Sequence, residues 1–351
     1  MSGKNRLIQR IMAKILVTGG LGYIGSHTVV ELIQSGYEVV IVDNLSNSEQ
    51  TVLDGIEAIT GVRPVFEQLD ICDENAFQAC LTKHPHIDAV IHFAAYKAVG
   101  ESVEKSLDYY RNNVFGLIQL LTLMRKNNIP NIIFSSSCTV YGQPDKLPID
   151  ESAPRKPATS PYGNTKQMCE DIIHDAVVSY HDIKAILLRY FNPIGAHPSA
   201  KIGELPKGVP NNLVPFVTQT AAGIRKELSV FGDDYNTPDG SAIRDYIYVV
   251  DLAKAHVKAM QRLLSGENKA EVEVFNLGTG KGVSVLELVK TFMEATGVNL
   301  PYKIVGRRSG DTEQVWADNT LAEKELGWTA KTPLDEVLRS AWNWEKQVRG
   351  L

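Results

Sequence analysis

The sequence predicts an α/β fold, a doubly wound parallel sheet joined to a smaller α/β lobe, and three observations carry that expectation. Short apolar runs alternate with helical patterns as far as Arg189. The first run leads straight into a glycine-rich string, Thr18-Gly19-Gly20-Leu21-Gly22-Tyr23-Ile24-Gly25. Beyond Arg189, prolines crowd the chain. Alternating strands and helices imply parallel strands with helical crossovers, and such sheets hold their ligands outside the carboxyl ends of the strands.

Ile15-Leu16-Val17 is the first expected strand, residues 26–35 carry a helical apolar spacing, and Glu38-Val39-Val40-Ile41-Val42 is a second strand ending at Asp43. Further strands are expected at 64–67, 89–93, 131–135 and 184–189, with helices between them. Pro193, Pro198, Pro206, Pro210 and Pro215 then mark the switch to an irregular second lobe. Its later part is expected to hold a segment at 242–249, a helix from Asp251, a strand at 272–277, a helix from Ser284 and a C-terminal helix near 333–348. The division that follows is an extension at 1–12 with no assigned function, a Rossmann-type dinucleotide lobe at 13–189 and a substrate lobe at 190–351. Part of 243–280 is expected to return to the first lobe.

With 351 residues, 44% of them hydrophobic, the chain can bury a large core. A formal net charge of -5 gives no electrostatic footprint for nucleic acid or an anionic membrane. Cys72, Cys80, Cys138 and Cys169 show no C-x-x-C pair and no metal-ligand spacing, so free thiols and no metal are expected. No apolar run approaches the roughly 18 residues that span a bilayer, and residues 1–14 lack the apolar stretch of a signal peptide. A cytoplasmic location is expected.

Gly20-x-Gly22-x-x-Gly25 and the wider Gly19-x-x-Gly22-x-x-Gly25 both let the backbone turn tightly and approach phosphate at a helix N-terminus. Asp43 follows at the distance, about 20 residues on, where a carboxylate accepts adenosine ribose hydroxyls and repels a 2′-phosphate. NAD is therefore the expected cofactor, although a strand-end aspartate also caps turns. Asp70 and Ile71, after the third strand, could contact the adenine, with a loop-capping aspartate as the plainer alternative.

Tyr162-Gly163-Asn164-Thr165-Lys166 puts a phenol and an ammonium at i and i+4 of one helix face. Free tyrosine and lysine titrate near 10 and about 10.4, so neither is a useful base alone. Opposite charge from Lys166 and an oxidised nicotinamide would favour the phenolate and make Tyr162 a general base for a hydroxyl proton. A solvent-exposed Tyr/Lys pair is the plainer alternative. The hydroxyl-rich turn Ser135-Ser136-Ser137-Cys138-Thr139 weighs against it, because it ends a strand at the expected crevice, where Ser137 could relay the proton to Tyr162.

At this point the sequence resembles the extended short-chain dehydrogenase/reductases and, within them, the UDP-galactose 4-epimerase family. Beyond the glycine string, similar segments are 93–102 (Phe93-Ala94-Ala95-Tyr96-Lys97 onward), Leu188-Arg189-Tyr190-Phe191-Asn192-Pro193, Pro210-Asn211-Asn212-Leu213, Arg244-Asp245-Tyr246-Ile247 and Arg307-Arg308-Ser309-Gly310-Asp311. The match runs from about Ala13 to the C-terminal helix. The resemblance implies C4 epimerisation of a UDP-hexose through a transient 4-keto sugar, with Tyr162 as base, Ser137 assisting and Lys166 holding the nicotinamide ribose. It implies a cofactor set of Gly19, Gly22, Tyr23, Ile24, Gly25, Asp43, Asn44, Leu45, Asn47, Ser48, Asp70, Ile71, Phe93, Ala94, Lys97, Asn112, Tyr190 and Phe191. The UDP-sugar would meet Ser137, Tyr162, Asn192, Asn212, Leu213, Arg244, Arg308, Asp311 and Val315. Helices near 113–124 and 166–179 would form a homodimer face.

Sugar-nucleotide dehydratases of this fold need an acid pair after the serine or threonine, where Cys138 and Thr139 stand instead, so dehydration is not expected. Another NAD-dependent nucleotide-sugar oxidoreductase, which shares the first chemical step, and a non-catalytic NAD-sensing regulator are the alternatives. In the family, the position of Val315 walls the sugar pocket. Valine in place of a bulky tyrosine predicts acceptance of N-acetylated UDP-hexoses, unless another side chain fills the space.

Overall fold

The computed structural model describes residues 12–307 and 312–351. The expected N-terminal extension, apart from Met12, and the expected substrate residues Arg308 and Asp311 lie outside the described residues.

Six strands, β1 (Lys14–Thr18), β2 (Glu38–Asp43), β3 (Val65–Gln68), β4 (Ala89–His92), β5 (Asn131–Ser137) and β6 (Lys184–Tyr190), form most of a seven-stranded sheet. The seventh is the segment Val272–Leu277, which pairs with β6 from Val272 opposite Ala185 to Leu277 opposite Tyr190. Across the sheet the order is Val272–Leu277, β6, β5, β4, β1, β2, β3, and every pairing is parallel. The succession reverses between β1 and β4. The crevice beyond the carboxyl ends of these two strands is thus the ligand position such a topology creates.

The apolar runs of the sequence split by strand parity into two cores. Ile15, Val17, Ile41, Ile91, Ile133 and Ile186 face one layer, while Leu16, Val40, Val42, Val90, Ile132 and Leu187 face the other. The helix α1 (Tyr23–Gln34) and the helix Val249–Leu264 cover the first face, with Val29, Leu32, Leu252 and Met260 buried there. Leu117, Leu120 and Ile173 from the helices Gly116–Lys126 and Pro161–Tyr180 cover the second.

The second lobe has its own core, with Val214, Val217, Val230, Leu288, Phe292 and Leu338 buried together. Short strands knit it: Leu228–Phe231 with Tyr302–Val305, Asn192–Ile194 with Tyr246–Tyr248, and Ile243–Arg244 between Val283–Ser284 and Gln314–Val315. The expected helix from Ser284 begins one residue later. Ser284 is its cap, its hydroxyl accepting from the Glu287 amide at 3.0 Å while the Glu287 carboxylate reaches back to the Ser284 amide. The helix expected near 113–124 also differs, because residues Tyr110–Phe115 form a π-helical turn before the α-helix Gly116–Lys126. Such turns are rare and recur beside functional sites. Among the described residues, no helix is long and apolar enough to cross a membrane.

Three histidines are sealed in the interior. His27 on α1 and His256 on the facing helix each set Nδ1 against a carbonyl one turn back, at 2.7 and 2.9 Å, and His92 at the end of β4 pairs with the Thr18 hydroxyl at 2.7 Å. Burial pushes their pKa values down to about 3 for His27 and His92 and about 4 for His256. Unfolded histidine titrates near 6.5, so between those values the unfolded chain binds more protons and stability falls as pH is lowered. Each histidine costs about 1.4 kcal/mol per pH unit in that window, roughly 4 for the three together. Unfolding at pH 5 should therefore take up at least two protons, read as the slope of denaturant stability against pH. An uptake below one would show that these imidazoles are charged in the folded protein.

Candidate active site

The glycine loop closes the crevice between β1 and β4. Gly19 has φ of +70°, and a Cβ there would meet the Ala94 amide nitrogen at 2.7 Å. A Cβ on Gly25 would collide with the Gly19 carbonyl oxygen. α1 starts behind Gly22, which supplies no side-chain cap, so the first amides of the helix face the crevice without a protein partner from the capping residue. A bare helix N-terminus behind backbone that only glycine can build fits the pyrophosphate of a dinucleotide.

Asp43, 8% exposed at the end of β2, accepts from the Leu21 amide at 3.1 Å, the Leu45 amide at 2.9 Å and the Ser48 hydroxyl at 2.7 Å. It thus ties the glycine loop to the next loop, and a carboxylate has about four acceptor sites, which leaves one over. Asn44 donates to Asp70, whose other oxygen holds the Cys72 amide. Asn47 is exposed at the mouth of this loop. Ile71 is a core side chain, packed on the face of Gly116. The Tyr23 side chain turns toward the second lobe, its hydroxyl donating to the Gly195 carbonyl at 2.6 Å, and Ile24 packs on two of the apolar cores. Phe93 lies against His256, with ring centroids 4.8 Å apart.

β5 and the helix Pro161–Tyr180 bring the second motif to the same crevice. Ser160 caps the helix, accepting from the Gly163 amide at 3.2 Å, and Pro161 occupies its first turn. This start sets Tyr162 in the first turn and Lys166 one turn on. The Lys166 ammonium donates to the Ser135 carbonyl at 2.6 Å and lies 5.9 Å from the centroid of the Tyr162 ring. Ser137, the last residue of β5, is near enough to the Tyr162 phenol to lower its pKa, while its hydroxyl accepts from the Thr139 amide at 3.2 Å.

Among the protein's own groups, burial governs the electrostatics. It pushes the Tyr162 pKa up to about 12, the Ser137 hydroxyl offsetting part of the rise, and pulls Lys166 down to about 8. Lys166 donates to a backbone carbonyl rather than to the phenol. Neutral His92 adds no charge to the site.

Beneath these residues lies a network that the motifs do not reveal. Arg189 on β6 grips Glu170 through Nε at 2.8 Å and through Nη2, and donates from Nη1 to the Tyr141 hydroxyl at 3.0 Å. The Ser136 hydroxyl also donates to Glu170. Tyr141 passes the chain on to Asn276 at 2.7 Å. Glu170 stands at i+4 from Lys166, a spacing that could have flagged it, whereas its partner on another element could not be read from sequence.

Tyr190 bonds the Ser135 hydroxyl. Phe191 is buried with Val140, Tyr141, Ile149 and Val315 rather than lining an open groove. Val315, 8% exposed, pairs with Arg244 across adjacent short strands and packs behind the turn that follows Ser137. Arg244 donates to the Ile243 carbonyl, and the neighbouring Asp245 is fully buried, accepting from Thr279 and the Ala317 amide. Asn192 lies on the strand beside Tyr246, and Asn212 precedes Leu213 as the cap of the helix Leu213–Ala221. Asn112 sits in the π-helical turn and donates to Asn113, whose amide clamps the Tyr96 backbone at 2.8 and 3.0 Å. Lys97 pairs with Glu204 of the second lobe.

A model of the NAD dependent epimerase/dehydratase family matches residues 15–278. The UDP-glucose 4-epimerase of Mus musculus is 50% identical over 342 residues, covering 96% of this chain and 97% of that one. The crystal structure of UDP-glucose 4-epimerase from Stenotrophomonas maltophila, with bound NAD and formylated UDP-arabinopyranose, superposes with a TM-score of 0.93 at 48% identity, covering 96% of this chain and 99% of that one. The enzyme of that name from Bifidobacterium longum, in complex with NAD+ and UDP, gives 0.91 at 47% identity, over 95% and 98%.

Proposed function

Since this chain belongs to the NAD dependent epimerase/dehydratase family, we propose that it inverts C4 of UDP-hexoses, interconverting UDP-galactose and UDP-glucose, with Tyr162 as the proton carrier. The observation that carries this reading is the meeting of Ser137, Tyr162 and Lys166 at the crevice that the glycine loop closes. Near-full-length likeness to enzymes named UDP-glucose 4-epimerase supports the same reaction.

The backbone of Gly19 to Gly25 would hold the pyrophosphate of NAD, Asp43 the adenosine ribose and Lys166 the nicotinamide ribose. NAD, when bound, supplies a hydride acceptor and donor for C4, so no net oxidation remains. Tyr162 accepts the 4-hydroxyl proton directly or through Ser137, and returns it once the 4-keto sugar has presented its opposite face. With the phenol at about 12, return of the proton is the favoured direction, and removal needs positive charge beside the ring. Lys166, at about 8, remains mostly protonated at neutral pH and provides part of that charge. Arg244 would supply a guanidinium for the UDP diphosphate, as the resemblance implies. Proton NMR of the purified protein with UDP-galactose and no added cofactor tests the proposal. Appearance of UDP-glucose supports it; conversion only with added NAD, accompanied by NADH, would make the enzyme a dehydrogenase.

The acetylated pair, UDP-GlcNAc and UDP-GalNAc, belongs to the same proposal. Val315 lacks the ring of a bulky tyrosine at the position that, by the resemblance, walls the sugar pocket. Val315→Tyr is expected to lower kcat/KM for the acetylated pair at least tenfold while changing the unacetylated pair by less than threefold. Equal effects on both pairs would remove Val315 from the specificity argument.

A homodimer and a cytoplasmic location complete the reading. Phe115, Ile118 and Met168 are exposed on the adjoining helical stretches Tyr110–Lys126 and Pro161–Tyr180, an apolar face that a second copy would cover. Light scattering that returns the mass of one chain would overturn the dimer. The four free cysteines suit a reducing compartment.

A further inference from the structure

The carboxylate of Glu204 touches both halves of the site. Its Oε1 accepts from Lys97 Nζ at 3.2 Å and from Asn212 Nδ2 at 2.6 Å. Lys97 belongs to the loop after β4, and its ammonium lies 5.8 Å above the ring of Tyr23, the first residue of α1. It therefore stands over the helix start that faces the crevice. Asn212 stands at the N-cap position of the second-lobe helix Leu213–Ala221 without a side-chain cap bond. One oxygen thus joins a cation on the dinucleotide side to an amide on the sugar-nucleotide side.

The anchor is more firmly held than the groups it holds. The Glu204 carbonyl accepts from the Trp344 indole at 2.9 Å, and Gly203 lies so close to that indole that a Cβ would stand 2.5 Å from it. Gly203 also bridges to Ala196. The Glu204 side chain is 12% exposed, against 46% for Lys97. Three residues on, Lys207 reaches the first lobe again, donating to the Leu45 carbonyl at 3.1 Å in the loop that Asp43 organises.

We propose that Glu204 is a positioning residue that couples cofactor retention to binding of the nucleotide sugar. This inference rests on the function proposed above. A shared acceptor makes its two donors interdependent. A diphosphate that draws Asn212 away leaves the carboxylate to Lys97 alone, which fixes the ammonium over the α1 N-terminus. By linkage, if occupation of one side tightens the other, the reverse holds by the same factor.

The test needs no turnover. NAD released from the holoenzyme on dilution is followed with and without saturating UDP, for the wild type, Glu204→Gln and Glu204→Ala. UDP should slow NAD loss about tenfold in the wild type, within the range usual for coupled sites, about threefold in Glu204→Gln, which keeps a partner for Asn212, and not at all in Glu204→Ala. KM for UDP-galactose should rise about fivefold or more in Glu204→Ala with kcat changed less than threefold. A purely structural loss would speed NAD release equally with and without UDP. Equal slowing by UDP in all three proteins would overturn the coupling, as would no slowing in the wild type. Glu204→Gln preserves size and carries the test if the alanine variant misfolds. If the wild type fails to convert UDP-galactose while UDP still slows NAD loss, the reaction assignment fails and the coupling stands.

Discussion

Tyr162→Phe is expected to lower kcat for UDP-galactose about a thousandfold while leaving bound NAD in place. The variant deletes one oxygen. The ring, the Ser160 cap and the Lys166 contact with the Ser135 carbonyl all stay, so the crevice keeps its shape. What disappears is the atom that exchanges a proton with the substrate hydroxyl, and positioned general bases contribute on the order of 10²–10⁴-fold. Ser137→Ala should cost less, about tenfold to a hundredfold, because a phenol adjacent to the substrate still receives the proton without the relay. The measurements are steady-state rates alongside cofactor content of the denatured protein. Activity within tenfold of wild type in Tyr162→Phe would move the base to another residue.

Glu170→Ala should be the most damaging single change to the folded state, by about 3–5 kcal/mol, the usual cost of stripping one partner from a buried ion pair. Arg189 has only 7% of its side chain exposed, and its guanidinium spends two of its contacts on Glu170. Without that carboxylate, a permanent cation remains in the interior with only the hydroxyl and ring of Tyr141 for company. Ser136→Ala removes one hydrogen bond from the same network and should cost about 1 kcal/mol. The double variant Glu170→Ala with Arg189→Leu should be more stable than Glu170→Ala alone, since it removes the stranded charge. Urea unfolding of the three proteins decides this; a double variant less stable than the single would show that the network is held by packing rather than charge.

The parts of the fold that the sequence displays are those written over short distances. The run from β1 through the glycine loop to Asp43 follows from apolar strands, a turn only glycine can make and a carboxylate at a strand end, all within thirty or so residues as in other sheets of this type. Tyr162 and Lys166 share a helix face because four residues make about one turn. Residues whose partners are remote stay hidden. Arg189 meets Glu170 from another element, Asp245 is satisfied by Thr279 and Ala317 rather than by its neighbour Arg244, and Glu204 finds Lys97 in the other lobe. The π-helical turn at Tyr110–Phe115 also escapes a reading based on a 3.6-residue period, since its extra residue per turn leaves no mark in the apolar spacing. The desolvation that raises Tyr162 is hidden for a related reason: charge spacing is visible in a sequence, but burial is not.

The placement of Val272–Leu277 beside β6 bears on how the protein is made. A ribosome that has delivered β1 to β6 has not yet delivered a finished sheet, because β6 still carries a row of unpaired amides and carbonyls along its outer side. More than eighty further residues must emerge before that row is closed. Throughout this interval the nascent first lobe offers an open parallel edge, the surface most prone to pairing with another chain. The two lobes therefore mature together, and a fragment ending near residue 190 should aggregate where the whole chain folds.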